Sequence, residues 1–144
     1  MTEAVKPHPI SLHQIFFVRS VVIATPNHKP DPKTIAQGPE NSISVTKDPE
    51  QKNLYQAQMR CIMNASLDAA LPYSIDMECV AQLTTDGTLT EDEAKRGVYI
   101  TAHSVLYGAI REAVLWITSR QPYGPLQLGL SVLQSAAPAE PATK

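Results

Sequence analysis

Apolar and polar residues alternate almost without error from Leu54 to Ala65. Tyr55, Ala57, Met59, Cys61, Met63 and Ala65 share one parity, and Gln56, Gln58, Arg60 and Asn64 the other. Successive side chains of a strand point to opposite faces, so this run predicts a strand with one buried face. A second run follows a short connection, with Tyr73, Ile75, Met77, Cys79, Ala81 and Leu83 set against Ser74, Asp76, Glu78, Gln82 and Thr84. Together they predict a long antiparallel hairpin. Upstream, Ser11 to Ala24 is rich in Ile, Phe and Val on both parities and ends at Thr25-Pro26-Asn27, where proline removes a ladder donor. That is the first strand. HKPDPKTIAQG, from His28 to Gly38, reads as an irregular crossover, and Ser42 to Thr46 as a short strand carrying Ile43 and Val45 on one face.

Beyond Thr84 the period changes. Thr90 with Glu93 forms a capping box, Glu91 and Asp92 complement the positive end of a helix dipole, and no proline follows until Pro122. A helix from about Thr90 to Ser119 is predicted, with a break or kink near Gly108. Its apolar residues, from Val98 to Ile117, cover more than one stripe. The excess predicts a contact between copies through Val105, Ala109, Ala113 and Trp116. Val98 to Thr118 approaches membrane-spanning length, but His103, Arg111 and Glu112 lie inside it, which predicts a buried helix instead. QPYGPLQLGLSVLQ reads as a turn followed by exposed leucines. These features divide the chain into an N-terminal tail at 1–9, one domain at 10–134 and a flexible C-terminal tail at 135–144. The start, MTEAVKPHPI, lacks the basic and apolar runs of a signal peptide, so a cytoplasmic protein without membrane insertion is expected.

Composition narrows the function classes. With 144 residues, 43% apolar and 18% charged, the chain can form one core and is not disordered. A formal charge of −2 provides no field for a phosphate backbone, so no nucleic-acid partner is expected. His8, His13, His28 and His103 are scattered, no HExxH or CxxC spacing occurs, and the glycines form neither a P-loop nor a dinucleotide fingerprint. No catalytic residue, metal or cofactor is therefore expected, and the chain does not read as an enzyme. His28 with Asp31 is a metal candidate set against a plain solvated loop pair. Cys61 and Cys79 fit core packing better than a redox pair, and Met59, Met63 and Met77 fit core better than a deformable client surface. Arg111 and Glu112 are either a buried pair fixing subunit register or a solvent edge.

The order and spacing of IFFVRSVVIATPN, LYQAQMRCIMNASL and IREAVLWITSRQPYGPLQLGL, over about residues 10 to 130, resemble the SecB family of export chaperones. The resemblance implies an α+β fold: a four-stranded antiparallel sheet with a long crossover after strand one, packed against a long helix. It also implies a homotetramer built as a dimer of dimers. SecB proteins act without ATP as holdases, keeping non-native chains soluble in apolar grooves and handing export clients to the SecA motor. The family's client-binding positions fall at Ile35, Ile43 and Val45 here, though the crossover carries none of the family's aromatic residues. Two acidic positions of strand one used for SecA contact fall at Ser20 and Ala24, leaving Asp76 and Glu78 as the SecA-contact candidates and weakening that docking. The family's second helix is shortened to SVLQSAAPAEPATK. This pattern fits SecB-like chaperones dedicated to one client, such as the antitoxin of a toxin–antitoxin module, alongside a role in protein export. The rival reading is an oligomeric structural or adaptor protein on the same fold without client binding.

Overall fold

A computed structural model describes residues 2–34 and 38–133. It contains β1 (Ile10–Ala24), β2 (Glu40–Lys47), β3 (Leu54–Met63), β4 (Tyr73–Thr85) and α1 (Glu91–Thr118). The strands form one antiparallel sheet in the order β1-β4-β3-β2. The predicted hairpin is the sheet's centre, β1 and β2 are its two edges, and the crossover carries the chain from one edge to the other.

Alternation explains the centre. Ala57, Met59 and Cys61 of β3 pair with Ala81, Cys79 and Met77 of β4, and all six side chains are fully buried beneath α1. The partner face carries Gln56, Gln58 and Arg60 and is left open. β3 stops two residues earlier than its pattern predicts. Asn64 takes a left-handed φ of 52°, and its side chain accepts from the Asp68 N–H at 2.8 Å and donates to the Tyr73 carbonyl at 3.2 Å. Asn tolerates that backbone region because its amide bonds locally, and the turn leaves Ala65 exposed.

β1 appears apolar on both parities because it is bulged twice, between Leu12 and Gln14 and between Phe17 and Arg19. Each extra residue exchanges the faces. Leu12, Ile15, Phe17, Ser20, Val22 and Ala24 consequently share the helix side, opposite the buried partners Leu83, Ala81, Cys79, Met77, Ile75 and Tyr73.

The helix begins with both arms of the capping box in place: Thr90 Oγ1 accepts from the Glu93 N–H at 3.3 Å, and Glu93 Oε2 from the Thr90 N–H at 3.0 Å. It is not broken at Gly108, contrary to the sequence expectation. Ala94, Val98, Ala102, Leu106, Ile110, Val114 and Thr118 form one buried row on both sides of that glycine. Burial of that row outweighs the roughly 1 kcal/mol that an interior glycine costs. After the helix, Gly124 turns the chain at φ 81°, and 125–133 run back along α1 without regular structure. The leucines here are not all exposed as predicted. Leu128 is 3% exposed and belongs to the core, and Leu126 packs against it, while Leu130 and Val132 face solvent. Among the described residues, no helix is long and apolar enough to cross a membrane.

Candidate functional site

β2 and α1 enclose a cleft on the helix side of the sheet. Ile43 and Val45 pair with Met59 and Ala57, so their side chains point beneath the helix, where both are half-buried against the core. Their outward neighbours Ser42, Ser44 and Thr46 are exposed, and β2 has no strand on its far side. At the N-terminal end of α1 the cleft opens to about 300 Å³, lined by Val45, Thr46, Lys47, Tyr55, Glu91 and Lys95. Ile35 lies outside the described residues, so of the three client positions implied by the resemblance the structure places Ile43 and Val45 together.

One helix row faces this cleft and its continuation. Tyr99, His103, Tyr107 and Arg111 are spaced by four and so lie one above another. Each reaches another segment. Tyr99 donates to the Ile43 carbonyl at 3.4 Å, Tyr107 to the Gly129 carbonyl at 2.6 Å, and Arg111 Nε to the Leu128 carbonyl at 2.8 Å. His103 Nε2 lies 3.1 Å from Ser131 Oγ, and its ring stacks on Tyr107. Burial pushes the Tyr107 phenol up, assisted by Cys61, while a hydrogen bond from the Asn41 side chain and the charge of Arg111 oppose the shift. Asn41 Oδ1 is buried with no hydrogen-bond partner among the described residues. Arg111 therefore holds the C-terminal segment, and Glu112 beside it is exposed. The two do not form a buried ion pair. The i, i+4 spacing of this polar row was visible in the sequence; the segment that it grips was not.

The open face of the sheet carries the acids. Asp76 receives Arg60 through Nε and Nη2, both at 2.9 Å, with Arg19 at 3.6 Å. The Arg60 hydrogen bond holds the Asp76 carboxyl below its ordinary range. Glu78 accepts from the Gln58 side chain. Of the two SecA-contact candidates, Asp76 is thus neutralised by two arginines on the same face, whereas Glu78 is held by an uncharged amide. Ser20 and Ala24 pair with Met77 and Tyr73 and lie on the other side of the sheet. The structure does not bring these strand-one positions together with Asp76 and Glu78, because the second bulge shifts their parity.

The remaining chemistry is structural. Burial pushes the Cys61 and Cys79 thiols up to about 11, so neither supplies appreciable thiolate near neutral pH. His28 does not reach Asp31. Its Nδ1 meets the Ala69 carbonyl at 2.7 Å and its ring packs edge-on against Tyr123, while Asp31 accepts from the Lys33 N–H. No group of three His, Cys, Asp or Glu residues that could hold a metal occurs among the described residues. Trp116 is 73% exposed on the outer face of α1, where Val105, Ala109 and Ala113 are half-buried.

No family model matches the chain, and no curated protein matches it significantly. Solved structures do match. A SecB-like chaperone of Mycobacterium tuberculosis, in complex with a ChAD peptide from the HigA1 antitoxin, aligns at 22% identity and a TM-score of 0.61. The alignment covers 85% of this chain and 88% of that one. A protein of unknown function from Streptococcus agalactiae aligns at 12% identity and a TM-score of 0.53, covering 84% of this chain and 97% of that one. The fold is SecB-like: a four-stranded antiparallel sheet packed against one long helix.

Proposed function

We propose that the chain is an ATP-independent holdase that binds extended apolar segments of non-native polypeptide between β2 and α1. The observation that carries the reading is the β2–α1 cleft: an uncovered strand edge with Ile43 and Val45 turned toward a helix, beside space for about 300 Å³ of ligand. Such an edge supplies main-chain hydrogen bonds, and apolar side chains on one face supply burial with little sequence preference. A shallow cleft of this size admits one or two side chains, so affinity per site is modest and several sites joined in one oligomer raise it by avidity. The reading is also supported by likeness to a SecB-like chaperone whose structure holds an antitoxin peptide. A dedicated antitoxin client fits better than general export here, since Asp76 on the open face is already paired with Arg60 and Arg19. The working form is a homotetramer in the cytoplasm, its copies meeting partly through Val105, Ala109, Ala113 and Trp116.

Suppression of aggregation of a heat-denatured protein tests the reading. Replacing Ile43→Ser together with Val45→Ser removes burial of two aliphatic side chains, each contributing roughly 1.5 kcal/mol or more, and weakens client affinity by about tenfold or more. Thermal unfolding of the variant, followed in parallel, separates lost binding from lost folding. Export is tested by capturing the tagged protein from its cells: SecA with many precursors supports it, and one abundant small partner supports a dedicated client. An intact chain that suppresses no aggregation returns the protein to the adaptor reading.

A further inference from the structure

Residues 125–133 lie on α1 as an extended peptide lies on a receptor. The segment has no strand partner and runs antiparallel to the helix. The Leu126 N–H donates to Thr118 Oγ1 at 2.8 Å, the Leu128 carbonyl accepts from Arg111 at 2.8 Å and the Gly129 carbonyl from Tyr107 at 2.6 Å, with Ser131 at His103. Three of these four contacts use the segment's backbone, so the row reads extended chain rather than a particular sequence. Leu128 is the one fully seated side chain. Leu130 and Val132 are 86% and 83% exposed, so two of the segment's five aliphatic residues gain nothing from their position.

We propose that 125–133 form a strap that occupies part of the client groove, and that an extended apolar segment of a non-native polypeptide displaces it and takes its place on Tyr107 and Arg111. This deepens the holdase reading and rests on it. The strap has the chemistry of a client, with leucines at alternate positions in Leu126, Leu128 and Leu130. It also leaves the groove half used. No strap residue lines the space beside Val45, Glu91 and Lys95, at the other end of the same helix. From Lys95 to Thr118 the helix is about 35 Å long, which about ten extended residues span. A client of that length binds the row and the empty end together, whereas the strap binds the row alone. The longer ligand therefore wins, and short or polar chains are excluded by the strap they fail to displace.

Hydrogen exchange of the intact chain, without and with saturating reduced and alkylated ribonuclease as a permanently unfolded client, tests this displacement. The Leu126 amide, the strap N–H that donates in the structure, should exchange about tenfold faster or more in the complex, while the amides of Val98 to Val114 stay protected. A second measurement uses the full chain carrying Leu128→Ser, which loosens the strap, and a fluorescent peptide of sequence GPLQLGLSVL. The variant should bind the peptide about tenfold more tightly than the unaltered chain, and unfolded ribonuclease should displace it. Ribonuclease bound with the Leu126 amide unchanged or better protected overturns the strap and leaves the holdase reading standing. No binding of ribonuclease overturns both.

Discussion

The two edge strands of this sheet are built differently. β1 is fifteen residues long, twice bulged, and bare in a single copy, with Leu12, Val18 and Ile23 at 45%, 55% and 43% exposure and Phe16 and Phe17 close behind. β2 is eight residues long, turns Ser42, Ser44 and Thr46 to solvent and keeps Ile43 and Val45 half covered by the helix. A long apolar edge left open invites pairing with any other chain, and natural sheets cover or charge such edges. A short edge with a hydroxylated outer face stays in water at little cost. The difference makes β1 the edge suited to lasting contact with another chain and β2 the edge suited to contact that is made and released.

The largest effect should come from breaking that division at β1. Val18 sits at the second bulge with no partner on β4. Val18→Lys places a charge in what the comparison makes a buried contact, which costs several kcal/mol unless the charge is paired. Sedimentation should show the mass falling by half or more, with the fold retained. Ser44→Lys on β2 should leave the mass unchanged. A Val18→Lys protein of full mass would move the assembly contact entirely to the outer face of α1 around Trp116.

The same contrast explains what could be read from the sequence. β3 and β4 were legible because one face is wet and the other dry, and because their partners are neighbours in the chain. The capping box was legible because Thr90 and Glu93 act on each other. The faces of β1 were not, since a bulge is a backbone event that leaves no signature in Leu12 to Arg19 beyond apolar residues on both parities. Ser20 and Ala24 accordingly fall on the helix side rather than with Asp76. Gly108 signalled a break that one continuous buried row prevents. The candidate groove was half legible: Ile43 and Val45 stand out on a short strand. Its other wall is made by polar residues of the helix that bond carbonyls some twenty residues further along, a long-range pairing that no local pattern encodes.

Two glycines of α1 give a smaller and more local test. A Cβ on Gly97 would meet Ile10 Cδ1, at the start of β1, at 2.9 Å, whereas one on Gly108 would meet nothing within 4 Å. Alanine is favoured over glycine in a helix by about 1 kcal/mol. Gly108→Ala should therefore raise the melting temperature by about 2–6 °C. In Gly97→Ala the gain is offset by moving the flexible end of Ile10, and the melting temperature should stay nearly unchanged. An equal rise in both would mean that β1 does not press on the helix at Ile10.

The smallest effect concerns the charges that tie β1 to the centre of the sheet. Asp76 on β4 takes Arg60 from β3 at 2.9 Å and Arg19 from β1 at 3.6 Å, and its carboxyl titrates below the ordinary value of 3.8, chiefly through the Arg60 hydrogen bond. A carboxylate whose folded pKa is depressed contributes stability that is fully present above the unfolded value and is lost as pH falls through the folded one. Melting temperatures of the unaltered chain and Arg60→Met should thus differ by a constant amount between pH 5 and 7 and converge as pH drops below 3.8. Arg19→Met should show the same convergence with a smaller amplitude, since its guanidinium is farther away and half exposed. At the end of β2, Lys47 and Glu91 stand 3.8 Å apart and largely in water, and Glu91→Gln should leave the melting temperature within error. A difference that persisted undiminished at pH 2 would assign the Arg60 effect to packing of its aliphatic stem on the sheet rather than to its charge.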